Sequence, residues 1–352
     1  MRSVAIIAIL GFSLATSRLY EPAFRGIATG CGCEGDSLTQ QTTKIDPGFD
    51  MLEGNGVRAH DPSMAKEGHN YYMFCTGPGI SMRISKDRQK WSYPIKVFEH
   101  PVPWSGTTIP GSRDFYWAPD ISSFNHKWHL YYAVSTFGKN RSAIGLATNE
   151  TLDPASPKYK WVDEGPAFQS YPTDSYNAID PNIAFDEHGT PWMSFGSFWS
   201  GLKIVKLDIH TGKPANPNEP PIAIAGRERP GAVEAPFIVH HGKFFYLFAS
   251  FDFCCRGVNS TYNIRIGRAT SISGPYIDKD GKKMTDGGGS SLLASQGRWH
   301  GPGGNSVLRD GHKDYIVYHA YDGNQNGAPM LRIEPLSWDH DAWPHVDLHA
   351  EH

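Results

Sequence analysis

The chain has 352 residues, 39% hydrophobic and 20% charged, ordinary for a soluble globular protein with a real core of one large domain or two smaller ones. A net charge of −3 with no basic run excludes the electrostatic footprint of a nucleic-acid or anionic-membrane binder and suits a neutral substrate. Ten Trp, 16 Tyr and 18 Phe beside 37 Gly and 26 Pro suit short strands, tight turns and flat rings that stack on sugars.

Residues 1–17, "MRSVAIIAILGFSLATS", join one Arg, an apolar stretch and small residues at Ala15 to Ser17. That is the pattern of a secretory signal peptide, too short for a membrane span; a buried N-terminal strand is the competing reading. Residues 18–50 follow as an irregular, Gly- and Thr-rich lead-in, and residues 51–352 carry the regular pattern. No other stretch approaches transmembrane length, so no membrane association is expected. The five cysteines are too few for a disulfide scaffold, and no CxxC pair marks a zinc site. Cys31 and Cys33 fall in the lead-in, Cys75 in an expected strand, and Cys254 and Cys255 are adjacent, either as a strained ring disulfide or as thiols. Asn140, Asn149 and Asn259 begin glycosylation sequons, which matter only in a eukaryotic source.

From Arg58 onward one plan recurs five times: "AHDPSMAKEGHNYYMFCTG", "WAPDISSFNHKWHLYYAVST", "AIDPNIAFDEHGTPWMSFGSF", "VEAPFIVHHGKFFYLFASF" and "GPGGNSVLRDGHKDYIVYHAY". Each opens on a Pro beside a small or acidic residue and runs through a short apolar stretch, a polar turn and an aromatic-rich stretch, which predicts a β-hairpin. A further alternating run follows, such as "SAIGLATNETLD" or "GLKIVKLD". The prolines stand at 62, 119, 181, 236 and 302, and no segment sustains a helical period. The expected fold is all-β, a five-bladed β-propeller; a β-sandwich is the alternative, but it leaves the fivefold recurrence unexplained.

In a propeller the innermost strand of each blade lines the central channel, so the acids beside these prolines are expected to converge. They are Asp61, Asp120, Asp180 and Glu234, while the fifth blade offers only glycine. Carboxylates gathered in one cavity repel each other and lose solvent, which raises some of their pKa values and separates a proton donor from an acceptor. Glycoside hydrolysis needs such a pair, about 6.5–9.5 Å apart for inversion and about 5–5.5 Å for retention. A calcium site is the other use of clustered carboxylates.

The set "AHDPS", "YWAPDIS", "YNAIDPN", "FGSFWSG", "VEAPFI" and "FDFCCRGVNSTY" resembles glycoside hydrolase family 43, specifically its arabinanase branch, from about Arg58 to Trp343. The resemblance implies a five-bladed propeller that hydrolyses α-1,5-linked L-arabinofuranose chains with inversion. Asp61 is then the general base, Glu234 the general acid, and Asp180 the residue that holds the acid and raises its pKa. Sugar subsites are implied at Trp117, Asn177, Ile179, Ser197, Trp199 and Cys255. Trp117 reads equally as core, Cys254 and Cys255 equally as cleft wall or packing, and Asp120 as structural. Where the resembling enzymes commonly read Gly-Pro-Gly-His, the His approaching an axial metal ion, this chain has Gly304; His300 is the substitute ligand and calcium the expected ion.

The expected protein is a secreted, monomeric endo-1,5-α-L-arabinanase whose partner is arabinan or its oligosaccharides. Within the enzyme class, an exo-acting arabinofuranosidase or xylosidase shares the three acids. A propeller that binds polysaccharide without cutting it is the rival from another class.

Overall fold

In the computed structural model, which describes Leu52, Glu53 and residues 56–348, alternating apolar residues fold into five four-stranded antiparallel sheets. The expected signal peptide and lead-in, with Cys31 and Cys33, lie outside the described residues. Blade 1 comprises Ser63–Glu67, Asn70–Cys75, Ser81–Ser85 and Ile95–Lys96. Blade 2 comprises Trp117–Phe124, Lys127–Val134, Ser142–Asn149 and Val162–Ser170. Blade 3 comprises Asn182–Phe185, Pro191–Phe195, Leu202–Lys206 and Ile222–Ala225. Blade 4 comprises Val233–His241, Phe244–Phe251, Asn263–Ala269 and Ser290–Leu293. Blade 5 comprises Trp299–Asp310, Lys313–Asp322, Ala328–Trp338 and Pro344–Val346. First strands pack against first strands around the ring, and the fifth meets the first, which makes the molecule a five-bladed β-propeller.

Side-chain alternation explains how the blades stack. Successive residues of a strand point to opposite faces, and both faces of each blade are covered. Met73 therefore packs toward blade 5 with Val317, whereas Phe74 packs toward blade 2 with Tyr132. Leu247 and Phe248 divide in the same way between Ile204 of blade 3 and Ile316 of blade 5. Leu146 and Phe195 complete the set between blades 2 and 3. Each interface thus owns one apolar cluster, and a fully buried Phe in it contributes roughly 1.5–3 kcal/mol. Sandwiched strands lose the polar half of their pattern: "SAIGLATN" at Ser142–Asn149 is buried throughout.

At the axis the repeat becomes a backbone conformation. Asp61, Ala118, Asp180, Ala235 and Gly304 adopt left-handed φ values of 49°, 40°, 56°, 51° and 56°, once per blade. Such values cost a residue with a Cβ about 1–2 kcal/mol, so the surrounding packing holds them. Two residues beyond this seat, side chains pin neighbouring blades together. Ser63 Oγ accepts from the Ile121 N–H at 3.2 Å, Asp120 Oδ2 from Ile183 N–H at 3.1 Å, and Asn182 Oδ1 from Ile238 N–H at 2.8 Å. Ser306 Oγ donates to the Pro62 carbonyl at 2.8 Å. Blade 4 has Phe237 at this place, and Ser250 Oγ serves instead by accepting from Gly304 N–H at 3.0 Å.

Segments near both ends of the described chain close the ring on blade 5. Pro344–Val346 pairs with Leu336–Trp338, and further along the same strand the segment 57–59 pairs with 329–331. There Leu331 N–H donates to Val57 O at 2.8 Å and Ala59 N–H to Pro329 O at 3.2 Å.

The pins yield a stability prediction. Asn182→Ala leaves the buried Ile238 N–H without its acceptor and removes a donor from Asp120, so unfolding in urea should show a loss of about 1–3 kcal/mol. A loss below a few tenths would mean that the pins do not carry the blade interface.

Candidate active site

The five seats meet in one axial cavity, lined by Asp61, Ala118, Asp180, Ala235 and Gly304 with the residues that follow them. The acids therefore do not share one equivalent position, as the proline landmarks suggested. Asp61 and Asp180 occupy seats, Glu234 stands one residue before its seat, and Asp120 two residues after. In blade 5 the seat is Gly304, followed by Asn305, and not the position beside Pro302. The reason is the inner strand of that blade, whose register shifts between His300 and Gly303 and again between Gly303 and Ser306.

Asp61 sits in a net of donors and is 17% exposed, so water reaches it. Its Oδ2 accepts from His60 Nδ1 at 2.7 Å and Thr76 Oγ1 at 2.6 Å, and Thr76 Oγ1 in turn accepts from the Ala118 N–H at 2.8 Å. The Asp61 N–H donates to His319 Nδ1 at 3.1 Å. Burial would raise this carboxyl, but the His60 charge, with His319 and Thr76, outweighs it and holds the pKa at about 2. Burial likewise opposes a charge on His60; the Asp61 carboxylate overcomes it and lifts the imidazole well above its ordinary value. His319, stacked on His60 at 4.0 Å, is pushed far down by burial and by the His60 charge, and stays neutral.

Glu234 and Asp180 move the other way. Burial raises Glu234, although Ser197 Oγ at 2.5 Å and Tyr262 OH at 2.7 Å donate to its two oxygens and pull it back; the Asp61 charge adds to the rise. Asp180 is raised well above the ordinary carboxylate range by burial, then by the charges of Glu234 and Asp61; its Oδ2 accepts from the Ala235 N–H at 3.2 Å. An ionised Asp61 thus stands near two carboxyls whose pKa values are raised, and such a separation of carboxyls equips a site to take a proton at one group and give one at another. Asp120 also borders the axial cavity, but its carboxylate is buried and bonded to Asn182 and Ile183; burial raises it to about 7, and it serves the blade interface.

The other expected residues divide. Ser197 is buried and bonded to Glu234. Asn177 is also buried, and its Oδ1 accepts from Ser142 Oγ at 2.6 Å, while Ile179 packs in the core beside it. Trp117 is half-buried at the start of the inner strand of blade 2, and Trp199 is 41% exposed in a turn with left-handed φ. Cys255 reaches the acids through its neighbours: its N–H donates to Tyr321 OH at 2.7 Å, and its Sγ lies 3.7 Å from His60 Nε2. Reasoning from sequence missed Tyr262, Thr76, Tyr321 and the role of His60. His60 stood inside the quoted "AHDPS" and Tyr262 inside "GVNSTY", but their service to Asp61 and Glu234 depends on contacts between distant segments.

His300 lies outside the axial lining, opposite Tyr321 in its hairpin and beside Gly323. Among the described residues, the groups that bring three His, Cys or carboxylate ligand atoms within 4.8 Å are His60–Asp61–His319 and His60–Cys254–Cys255. Calcium takes six to eight oxygens, and neither group supplies more than one carboxylate. Asn305, whose two side-chain polar atoms have no hydrogen-bond partner among the described residues, adds a single oxygen. Asp61, Asp120, Asp180 and Asn305 all line the axial cavity, but among the described residues no cluster brings two carboxylates within 4.8 Å of a third ligand atom, so the side chains alone do not form a calcium cage. Gly304 has its own packing reason: a Cβ there would lie 2.4 Å from Asp61 Oδ1 and 2.9 Å from the His319 ring. Gly304→Ala should accordingly cost about 1–3 kcal/mol of stability in chemical denaturation; an unchanged midpoint would mean that Asp61 and His319 have room to retreat.

A family model, glycosyl hydrolases family 43, matches residues 55–344. The chain is 46% identical over 302 residues to the extracellular exo-α-(1→5)-L-arabinofuranosidase of Cellvibrio japonicus, covering 83% of this chain and 87% of that protein. It is 44% identical over 290 residues to an extracellular endo-α-(1→5)-L-arabinanase of Bacillus subtilis, covering 81% and 86%. The structure of Cellvibrio cellulosa α-L-arabinanase complexed with arabinohexaose superposes with a TM-score of 0.81 at 46% identity, covering 83% of this chain and 96% of that one.

Proposed function

The chain belongs to glycosyl hydrolases family 43, and on that premise we propose that it is a secreted enzyme that cleaves α-1,5-linked L-arabinofuranose chains internally and with inversion. The observation that carries the assignment of roles is the opposed displacement of the carboxyls: Asp61 held at about 2, Glu234 and Asp180 raised. An inverting hydrolase needs one ionised carboxylate to take a proton from water and one protonated carboxyl to give a proton to the leaving oxygen. Asp61, partly exposed and ionised, takes the water proton as that water attacks the anomeric carbon. Glu234, longer by a methylene, protonates the glycosidic oxygen. Asp180 bonds the Ala235 N–H next to Glu234 and so holds the strand that carries the acid in place. Ser197 and Tyr262 fix the Glu234 carboxyl in one orientation.

The sugar is expected against Trp117 and Trp199, whose flat faces suit a furanose ring, near Cys255 and with the buried Asn177 and Ile179 packed behind. Arabinan as substrate draws its support from the relatives' names and from the relative complexed with arabinohexaose. Secretion draws support from the apolar leader at residues 1–17 and from relatives named extracellular. Exo attack is the second reading, favoured by one observation: the relative at 46% identity is named an exo-acting arabinofuranosidase.

A time course on linear arabinan separates the two modes. Internal attack gives oligomers of intermediate length before short products; terminal attack gives one short product from the start. Asp61→Ala and Glu234→Ala should each lower the rate by about 100-fold or more with the fold intact by circular dichroism, and retained activity in either sinks the roles given. The hydrogen bonds add a signed prediction. Tyr262 stabilises the ionised form of Glu234, so Tyr262→Phe raises the Glu234 pKa and should carry the alkaline limb of kcat/KM upward by about one pH unit. An alkaline limb that stays in place would argue that Glu234 is not the group whose proton is lost there.

A further inference from the structure

Beside the two catalytic arms lies a donor set of different chemistry. Cys254 and Cys255 hold their Sγ atoms 2.7 Å apart, and Cys255 Sγ lies 3.7 Å from His60 Nε2. The turn that carries them is fixed at several points: Cys255 has a left-handed φ of 63°, its N–H is held by Tyr321 OH, and Phe253 N–H donates to Thr261 Oγ1 at 3.3 Å. Each sulfur also stands by one arm of the chemistry: Cys254 lowers the pKa of the Glu234 carboxyl, and Cys255 Sγ lies 3.7 Å from the imidazole that holds Asp61.

Two sulfurs and an imidazole are soft donors, and soft donors select soft, thiophilic ions over calcium or magnesium. A tetrahedral ion with metal–sulfur bonds of about 2.3 Å and a metal–nitrogen bond of about 2.0–2.1 Å needs N···S edges of about 3.6 Å. The His60–Cys255 edge already has that length, and the sulfurs must open by about 1 Å to reach an S···S edge of about 3.8 Å. The rival trio, His60–Asp61–His319, is poorly arranged: its two rings stack face to face 4.0 Å apart, and the Asp61 N–H already occupies His319 Nδ1.

We propose that Cys254, Cys255 and His60 form a binding site for one thiophilic divalent ion, and that its occupation switches the hydrolase off. The balance is simple: two S–H protons and the proton on His60 Nε2 leave, and three bonds to the ion form, with no change of oxidation state. His60, drawn toward the ion, gives up Tyr321 OH and its bridge to Asp61, while Cys254 leaves Glu234. Binding itself depends on no particular glycan; only the loss of activity rests on the function proposed above.

The test uses the full chain, reduced with a phosphine that does not compete for metal, and cadmium as the probe. One equivalent of Cd2+ should produce the ultraviolet thiolate-to-cadmium absorption, lower arabinan hydrolysis by about 100-fold or more, and be reversed by a chelator. The absorption should fall in Cys254→Ser and in Cys255→Ser, and persist when Cys31 and Cys33 are both changed to Ser. No absorption after reduction, or absorption that survives in both Cys254→Ser and Cys255→Ser, would overturn the site. Absorption lost with Cys31 and Cys33 would overturn it too. Full absorption with undiminished hydrolysis would overturn the switch. A metal-free enzyme without activity on arabinan would count against the proposed substrate, while the absorption would still report on the site.

Discussion

The architecture depends on a left-handed residue at the head of each inner strand and a hydrogen-bonding side chain two residues on. The first turns the chain into the axis; the second ties that strand to the next blade's backbone. Ser63, Asp120, Asn182 and Ser306 do this by three different chemistries, hydroxyl, carboxyl and carboxamide, at one geometric position. Because seat and pin are so close in sequence, the groups that do chemistry and the groups that hold the ring sit in the same few residues. Thr76 shows how tightly they interlock: one hydroxyl donates to Asp61 and accepts from the seat of blade 2.

Within that ring, environment separates carboxyls that share a cavity. Asp61 and Asp180 occupy equivalent seats on blades 1 and 3 and differ by their neighbours. The first has an imidazolium and a hydroxyl; the second has one backbone N–H and two acidic neighbours. The same side chain thereby lies on opposite sides of its ordinary pKa. His60 and His319 repeat the pattern in bases, one held protonated by Asp61 and the other, stacked on it, held neutral.

Much of this was legible in the chain. The five hairpin phrases, the third-strand runs and the scarcity of helix led to the propeller, because a period of about sixty residues with alternating patterning has few other solutions. Asp61, Asp180 and Glu234 were legible as converging acids. Their exact register was not: a proline marks the strand head only roughly, and in blade 5 two register shifts move the seat to Gly304. Tyr262, Thr76 and Tyr321 were hidden for another reason. Each reaches its carboxyl or imidazole from a different strand or turn, and no local pattern encodes a contact between residues such as His60 and Tyr321, 261 positions apart. His300 stands beside "GPGG" in the chain, but the histidine that packs against His60 is His319, on the neighbouring strand.

The clasp at 57–59 has a meaning beyond closure. The backbone bonds that join Val57 and Ala59 to the fifth blade end two residues before Asp61, and His60 lies between them. The seam of the ring and the ionised carboxylate are therefore one mechanical object. Opening the other blade interfaces would have to pass through a continuous chain before reaching Asp61, whereas fraying at this seam reaches it at once. A molecule loosened by heat at its own join would lose its proton acceptor while most of its blades still stood, so inactivation would run ahead of unfolding.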